Sequence, residues 1–503
     1  MELALNRDHL SCYDTVLDAT VLHEETMEMI VPDACPDILR IVDTAGTVCL
    51  KSKEAQEGRV EISGTVRCAV LYLPDGETGV RRIEVNIPFF CSADGTGVAP
   101  GCGVVAVPSV QAAETRSINP RKVLVRVNLA VAVRAYRSAD TAFCTGAEDD
   151  SAVEQLRESR SAYMVACVQE KPFTFSDDLT ISGSRPEAEE LLKSSVELIC
   201  NESKIIGNKL IFKGEAALKL LYRSSDGAIA STDYELPFSQ IMEVSGVEEE
   251  ADCALDVLLT DLSCSLGAGD GRTVSVSLGL LAQAVVREER SVELLTDIYS
   301  VSSELTAELQ SYTMNRLLEQ NTRRQAAREV IETGVLAKST LDTYVNLGAV
   351  SQIREGEKLT FSADAVVTVV YLAEDDEIYS VSRQIAVPCQ ADVPEGCTCT
   401  CGCRNAGEAF ATPTTGGIEV RFELDFHYMV QSTQRVTGVC GVQVNEAPVE
   451  EKGPSIVLRA VAAERLWDIA KSYRTTTADI MQANELESEE GLSGKLLLIP
   501  RKR

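Results

Sequence analysis

The sequence predicts a mainly β protein, in which three tandem β-rich modules of about 150 residues are followed by a small α+β domain. Three observations support this prediction. Related segments recur three times at a nearly constant spacing, their apolar residues alternate with period two, and the C-terminal tail differs from the rest in pattern and charge.

The repeat is clearest in three alternating segments that each end on a tyrosine. They span residues 58–72, 208–222 and 357–371, and the final tyrosines lie 150 and 149 positions apart. In each copy, turn residues follow the segment, then a returning strand that ends at a proline, and then a second alternating strand. Half-buried antiparallel strands have this pattern, so each module is expected to be a sandwich or an open barrel with its own core.

The repeat sets the expected domain boundaries. The three modules are predicted at residues 8–150, 155–300 and 303–445, followed by a Pro- and Glu-rich linker at 446–454 and a tail domain at 455–503. Helical patterns at 187–192 and 303–331 are expected to join the modules. Because the period is longer than that of a solenoid, we expect separate modules arranged one after another along the chain, and not a continuous stack of repeats.

Composition and charge exclude several classes of function. The 503 residues include 47 Lys or Arg and 77 Asp or Glu, which gives a net charge of −30. Nucleic acids and anionic membranes bind mainly through Lys and Arg, so neither is an expected partner. We find neither a secretory signal nor a stretch of ~18 apolar residues, so the chain is expected in the cytosol without direct membrane insertion. The tail, residues 453–503, carries eight basic against seven acidic residues.

Cysteine usage leaves one cluster to interpret. Most of the 17 cysteines should be small buried hydrophobic residues in a reducing compartment. The densest group alternates with other residues in one short segment and comprises Cys397, Cys399, Cys401 and Cys403. It is either a thiolate metal site or disulfide hub, or an ordinary loop between two strands. The spacing lacks the C-x₂-C pair of structural zinc sites, so these residues are kept only as low-ranking metal candidates.

Catalysis has little support in the sequence. The three histidines, His9, His23 and His427, belong to no nucleophile or metal motif. No cofactor is predicted either. A repeated module without a catalytic constellation is typical of a scaffold, in which several weak contacts add up to high avidity.

The tail carries a recognisable motif. A short strand at 456–461 precedes a helix at 466–473, a second helix follows the threonines at 475–477, and a strand at 496–499 ends at Pro500. This βααβ order, with Leu-Trp-Asp-Ile-Ala-Lys-Ser-Tyr and Gly-Lys-Leu-Leu-Leu-Ile-Pro, resembles a LysM domain. In that family the first loop opens with Gly, an acid and then Thr or Ser. Here residues 462–465 lack the Gly, and Arg465 replaces the hydroxyl residue.

The resemblance implies a binding groove along one edge of the tail. The residues that flank it are Glu464, Arg465, Trp467, Asp468, Lys471 and Asn484. Trp467 can either pack in the core of the fold or contact a partner directly, and core packing is the favoured role. Since a long cation stands where sugar-binding members have a small polar group, the altered loop favours a protein partner, with room for weak glycan binding only.

The preceding modules resemble SPOCS domains, which are tied to sporulation. The residues that carry this are Val-Pro-Asp-Ala-Cys-Pro-Asp-Ile at 31–38, with the Pro-Phe pair at 88–89 after the hairpin. SPOCS repeats with a C-terminal LysM domain resemble the SipL and SpoVID class of spore coat morphogenetic proteins. The resemblance implies a non-enzymatic scaffold in the mother-cell cytoplasm, at the forespore surface. There it would join spore coat proteins to the coat-anchoring ATPase SpoIVA through LysM.

Two other hypotheses remain open. The first is a cell-wall protein whose LysM domain binds peptidoglycan, an N-acetylglucosamine polymer. The altered first loop and the absence of a signal peptide speak against it. The second is a thiol or metal protein centred on the cysteines of residues 397–403.

Overall fold

The computed structural model describes residues 3–148, 152–267, 269–445, 455–462, 464–489 and 491–500. The linker predicted at 446–454 lies outside these residues. Three groups of antiparallel strands with the same internal order make up most of the chain, and two short helices occur in the tail. The mainly β fold predicted from the sequence is confirmed.

The first repeat contains β1 (Leu5–Ile30), β2 (Ile38–Gln56), β3 (Arg59–Pro74), β4 (Arg81–Asp94), β5 (Gly103–Asn119) and β6 (Lys122–Ala147). The second contains β7 (Val153–Thr180), β8 (Ala188–Ile206), β9 (Lys209–Ser224), β10 (Ile229–Glu243), β11 (Asp252–Leu266) and β12 (Thr273–Ser300). The third contains β13 (Glu304–Ile331), β14 (Ala337–Glu355), β15 (Lys358–Ala373), β16 (Ile378–Asp392), β17 (Thr398–Asn405), β18 (Phe410–Thr414) and β19 (Gly417–Asn445). The tail contains β20 (Ile456–Ala460), α1 (Leu466–Tyr473), α2 (Thr477–Ala483) and β21 (Leu496–Pro500).

Each repeat is a sandwich of two sheets. In the first repeat, the meander β2-β3-β4 faces the sheet in which β6 lies between β1 and β5. Alternate residues of β3, β4 and β6 point into the space between the sheets, and Val60, Ile87 and Val127 are at most 1% exposed. The second and third repeats have the same two sheets, except that β17 and β18 share the place of the single strand β5. Of the two predicted architectures, the chain adopts the sandwich.

Local sequence accounts for the turns and the sheet edges. The two-residue turns between the first two strands of each meander contain Gly58, Gly207 and Gly356, all with positive φ, as tight hairpins require. The prolines of the returning strands lie within β4, β10 and β16, which are the edge strands of their meanders. Proline is tolerated at an edge because its missing N–H breaks no ladder hydrogen bond. These strands therefore continue beyond the proline at which we predicted their ends.

The helical patterns predicted between the modules are wrong. Residues 188–206 form β8, and residues 304–331 form β13, which pairs with β19 along its whole length. Exposed positions alternate with less exposed ones along much of β13, and Glu304, Glu308, Arg324 and Arg328 are among the exposed residues. Pairing with a long partner strand overrides the helix preference of these residues.

The repeats also pack against one another, so the prediction of separate modules arranged one after another is wrong. Strand β2 packs against β11, and β14 packs against β5. The Ser109 hydroxyl donates to the Leu347 carbonyl oxygen across the second contact, at 3.1 Å. Between the second and third repeats, Glu197 of β8 lies close enough to Glu408 to raise the pKa of Glu197, in addition to the larger effect of burial. Each repeat thus touches the other two, and the three form a closed ring.

Equivalent positions of the three repeats meet at the centre of this ring. The central apolar cluster contains Val42, Leu192 and Leu341, which occupy the same place in their repeats, and likewise Leu71, Leu221 and Val370. The next residues along the first set are Asp43, Lys193 and Asp342, all less than 7% exposed. The shared centre explains why the repeats keep so constant a spacing.

The three central polar residues form one network. Lys193 Nζ lies 2.7 Å from Asp342 Oδ2 and 3.4 Å from the centre of the Tyr344 ring. The Tyr344 hydroxyl in turn donates to Asp43 Oδ1 at 3.0 Å. A second cation, Lys219, lies 2.9 Å from Asp342 Oδ1. Three identical repeats would place three like charges at these equivalent positions. Here the second repeat has a lysine where the other two have aspartates, so opposite charges meet instead.

Candidate functional site

The tail forms a compact βααβ unit. Strands β20 and β21 pair antiparallel from Ile456 opposite Pro500 to Ala460 opposite Leu496. The Thr476 side chain caps α2 by accepting a hydrogen bond from the Asp479 amide at 3.0 Å. Leu466, Ile469, Ile480, Leu497 and Ile499 fill the space between the helices and the strands.

Trp467, the only tryptophan, packs in this core. Its side chain is buried, and its ring meets the Tyr299 ring edge-on with centroids 4.8 Å apart. The indole N–H donates to Asp297 Oδ2 at 2.8 Å. Both partners belong to β12, so the tryptophan packs in the tail core and also fixes the tail to the second repeat.

Two further contacts hold the same interface. Lys471 Nζ lies 2.6 Å from Asp297 Oδ1, and the Tyr299 hydroxyl donates to the Thr475 carbonyl oxygen at 2.7 Å. Leu156 and Val301 of the second repeat pack against the tail core. Sequence reasoning missed Asp297 and Tyr299, because nothing in the linear pattern indicates that the tail folds back past the third repeat.

The polar side chains of the first loop are paired with one another. Glu464 accepts two hydrogen bonds from Arg459 at 2.7 and 2.8 Å. The Arg465 guanidinium binds both carboxylate oxygens of Asp468 at 3.1 Å, and this pairing lowers the pKa of Asp468. The Arg465 side chain remains 61% exposed, so it lies at the surface even though its Nε and Nη2 are bonded to Asp468.

Asn484 is a structural tie inside the tail. Its amide nitrogen donates to the carbonyl oxygens of Ile480 and Leu498, and its Oδ1 accepts from the Leu498 amide, at 2.7–2.8 Å. These bonds join the end of α2 to β21. The six residues predicted to flank a groove therefore divide into a surface loop, an interface with β12 and an internal tie.

The outer face of the β20–β21 sheet is a second candidate surface. Ile456, Leu458 and Leu496 are 56%, 64% and 63% exposed, whereas Leu497 and Ile499 face the helices and are buried. We call the three exposed residues the outer aliphatic face. Its signal was present in the sequence, because unbroken apolar runs such as residues 496–499 leave apolar side chains on both sides of a strand.

Three of the four cysteines in the predicted cluster lie on a strand, and Cys397 lies in the turn just before it. Cys399, Cys401 and Cys403 alternate along β17 and pack against the core of the third repeat. Burial raises the pKa of Cys399 to about 11 and that of Cys403 to about 12, and it raises the pKa of Cys401 further. Within the described residues, no three His, Cys, Asp or Glu side chains are placed to hold a metal ion.

The segment between the first two strands of a repeat is held by an arginine. In the first repeat, Arg121 donates to the carbonyl oxygens of Val31, Pro32 and Cys35 at 2.7–3.1 Å. Arg272 makes the corresponding bonds to Ser182 and Arg185 in the second repeat. Two of the tyrosines that end the alternating segments donate to the same turns: Tyr72 to the Pro36 carbonyl at 3.2 Å and Tyr222 to the Pro186 carbonyl at 3.0 Å. The Val-Pro-Asp-Ala-Cys-Pro-Asp signature is therefore a structural element of the repeat.

The described part of the chain contains no helix long and apolar enough to cross a membrane. Comparison with known families matches residues 37–118 and 169–267 to the SipL, SPOCS domain and residues 463–499 to the LysM domain. No curated protein and no solved structure matches the chain. The two SPOCS segments lie in the first and second repeats, and the third repeat shares their topology.

This domain content is that of the SipL-like class with a C-terminal LysM domain. Both domain types are non-catalytic binding domains. The combination fits a spore coat protein that carries a glycan-binding type of module.

Proposed function

We propose that this chain is a non-enzymatic scaffold for spore coat assembly. Its LysM domain tethers coat layers to the forespore surface by binding the coat-anchoring ATPase SpoIVA, in the mother-cell cytoplasm. The observation that carries the proposal is the outer aliphatic face, which exposes Ile456, Leu458 and Leu496 together on a small domain. Apolar surface gathered in this way is typical of protein–protein contact.

The state of the first loop supports a protein partner over a sugar chain. A glycan is recognised by polar groups that are free to hydrogen-bond its hydroxyl and acetamido groups. The carboxylates of Glu464 and Asp468 are engaged by Arg459 and Arg465. A sugar would have to break those pairs, and the loss would offset much of the new binding energy.

The docked position of the LysM domain supports a tethering role. Asp297 and Tyr299 hold α1 against the second repeat, on a side of the domain that does not include the outer aliphatic face. The face therefore keeps a defined orientation relative to the three repeats. Pre-orientation lowers the entropy lost on binding, because the domain is not free to rotate before it meets its partner.

Peptidoglycan binding is the alternative, and the match of residues 463–499 to the LysM domain favours it. On this alternative the protein would bind an N-acetylglucosamine polymer through the first loop, and Arg465 would be the residue to change. The two functions use different surfaces of one small domain, so single substitutions separate them.

The test is a titration of the full chain against the SpoIVA-like ATPase and, separately, against N-acetylglucosamine oligomers. Leu458→Asp is expected to weaken ATPase binding roughly tenfold or more, because a charge would be buried in an apolar contact. Leu309→Asp is the matched control, since Leu309 is an exposed strand leucine of the third repeat. Saturable glycan binding that Arg465→Ala changes, together with no binding to the ATPase, would establish the alternative instead.

A further inference from the structure

Two cysteines from different repeats lie side by side where the first and third repeats meet. Cys144 is near the end of β6, and Cys440 is near the end of β19. The Cys144 thiol donates to the carbonyl oxygen of Cys440 at 3.9 Å, across 296 residues of sequence. Both thiols are free. The contact therefore brings two unbonded cysteines together across an interface between repeats.

Apolar packing holds this contact on two sides. The Phe143 ring packs on the Tyr312 ring of the third repeat, with centroids 4.7 Å apart. On the other side, Cys144 belongs to a buried cluster that takes residues from the last strand of every repeat. Its other buried members are Ala147 of β6, Leu295 and Ile298 of β12, and Val439 and Val442 of β19. The two cysteines therefore lie on packed strands and not in surface loops.

The pairing of β19 is irregular at Cys440. Glu308 pairs with Gly441 and Leu309 pairs with Val439, so Cys440 is the extra residue of a β-bulge. The Cys440 thiol donates to the Glu308 carbonyl oxygen at 3.4 Å. Cys440 is partly exposed, whereas Cys144 is buried. A reagent in solution can therefore reach Cys440 before it reaches Cys144.

A cation lies beside both cysteines. The Arg7 guanidinium donates to the Cys440 carbonyl oxygen at 3.3 Å. Burial raises the pKa of Cys144, and Arg7 acts in the opposite direction because its charge favours the thiolate. Burial also raises the pKa of Tyr312, and the nearby thiols of Cys144 and Cys440 raise it further, so all these groups share one small region. Arg7 thus offsets part of the cost of a thiolate at a buried position.

We propose that Cys144 and Cys440 form a disulfide bond when the protein meets a low-molecular-weight disulfide such as oxidised glutathione. Rotation of the Cys440 side chain about χ1, away from the Glu308 carbonyl, is the movement that the bond requires. The bond would tie the first repeat to the third across the whole second repeat, and such a widely spaced cross-link strongly restricts the unfolded chain. The site is distinct from the LysM surfaces and does not depend on the function proposed for them.

The exchange proceeds in two steps. The Cys440 thiolate attacks one sulfur of oxidised glutathione, which forms a mixed disulfide and releases one glutathione thiolate. The Cys144 thiolate then attacks the Cys440 sulfur and expels the second glutathione thiolate. The protons of the two protein thiols pass through solvent to the released thiolates. The two cysteines lose two electrons in all, and oxidised glutathione gains them as it is reduced to two thiols.

The experiment is incubation of the full chain with oxidised glutathione, followed by alkylation of the remaining thiols and non-reducing peptide mass spectrometry. We expect a linked pair of peptides that contain Cys144 and Cys440, and a rise in Tm of several degrees that dithiothreitol reverses. In Cys144→Ser the reaction should stop at a mixed disulfide on Cys440. Cys12→Ser is the matched control, since Cys12 is a partly exposed cysteine of β1, and it should leave the linked pair unchanged.

The absence of the linked peptides would overturn the proposal, whether Cys440 stays reduced or keeps a mixed disulfide. A linked pair that joins either residue to a different cysteine would overturn it too. So would a rise in Tm that Cys440→Ser retains. Cys440→Ser suffices for the comparison if Cys144→Ser fails to fold, because Cys440 is only partly buried.

Discussion

The Trp467 indole N–H donates a 2.8 Å hydrogen bond to Asp297 Oδ2, across 170 residues of sequence. This bond joins the C-terminal LysM domain to the second repeat, although the third repeat lies between them in the chain. The same carboxylate accepts a bond from Lys471, so one aspartate holds two residues of α1.

We expect Asp297→Ala to release the LysM domain from β12 without unfolding it. The substitution removes both bonds to α1, which together contribute about 2 kcal/mol because the Lys471 contact is partly exposed. Trp467 is the only tryptophan, so its fluorescence reports the change directly. The emission should shift to longer wavelength and become more accessible to acrylamide, while the helical circular dichroism stays constant.

Glu293→Ala is the control for that measurement, because Glu293 lies on the same strand β12 and is exposed. The tryptophan emission of the Glu293→Ala variant should match that of the unchanged chain. If Asp297→Ala also leaves the emission unchanged, the docked arrangement is wrong.

We expect Lys193→Met to destabilise the chain by about 3–5 kcal/mol, because it leaves the Asp342 and Asp43 carboxylates buried with less compensating charge. Urea unfolding measures the effect. Lys204→Met, an exposed lysine on the same strand β8, should cost less than about 0.5 kcal/mol. The double variant Lys193→Met with Asp342→Leu should regain part of the loss, and failure to do so would contradict the pairing.

We expect the Asp342 carboxylate to make the free energy of unfolding fall as the pH is lowered, which gives an acid limb in the plot of stability against pH. Burial alone would raise its pKa, but the ammonium groups of Lys193 and Lys219 lower it to about 2. An unfolded aspartate has a pKa of about 3.9, so this contribution of about 2 kcal/mol is complete above pH ~4 and is lost as the pH falls toward 2.

Urea unfolding between pH 2 and pH 6 tests this expectation. Asp342→Asn should flatten the acid limb, whereas Asp94→Asn, an exposed aspartate at the end of β4, should not. Identical limbs in the unchanged chain and in Asp342→Asn would mean that the carboxylate does not form the buried pair.

We expect the thiols of β17 to react slowly in the folded protein. With pKa values of about 11 and about 12, Cys399 and Cys403 are thiolates in only about one molecule in a thousand or fewer at pH 8. Alkylation by iodoacetamide, followed by mass spectrometry, should be at least about 100-fold slower at these positions than in the urea-unfolded chain. Rapid native alkylation would revive the reactive-thiol hypothesis.

Local patterns predicted the repeat and the tail fold but not the assembly. The alternation of residues 58–72 led directly to β3, and the Leu-Trp-Asp-Ile-Ala-Lys-Ser-Tyr motif led to α1. Segment 303–331 was misread as helical because Glu, Leu, Arg and Ala are good helix formers, and the pairing of β13 with β19 cannot be seen from one strand alone.

The candidate site was predicted only in part, for a related reason. Motif matching found the first loop and Trp467, and packing in the core was correctly favoured for that tryptophan. The residues that contact Trp467, Asp297 and Tyr299, lie in the second repeat, far from the tail in sequence. The outer aliphatic face can be recognised only when the register of β20 against β21 is known. Contacts that depend on tertiary arrangement leave little trace in a single sequence.

The closed ring of sandwiches also fixes the copy number of the repeat. Each sandwich touches the other two, and the central charges alternate as Asp43, Lys193 and Asp342, so the copies are not interchangeable. A fourth copy added by duplication would find no free position in the closed ring, whereas a new unit can always be added at the end of a solenoid. If the protein is to bind more partners or more distant ones, the change therefore has to occur in the tail or on the outer surfaces of the repeats. It cannot come from adding repeats.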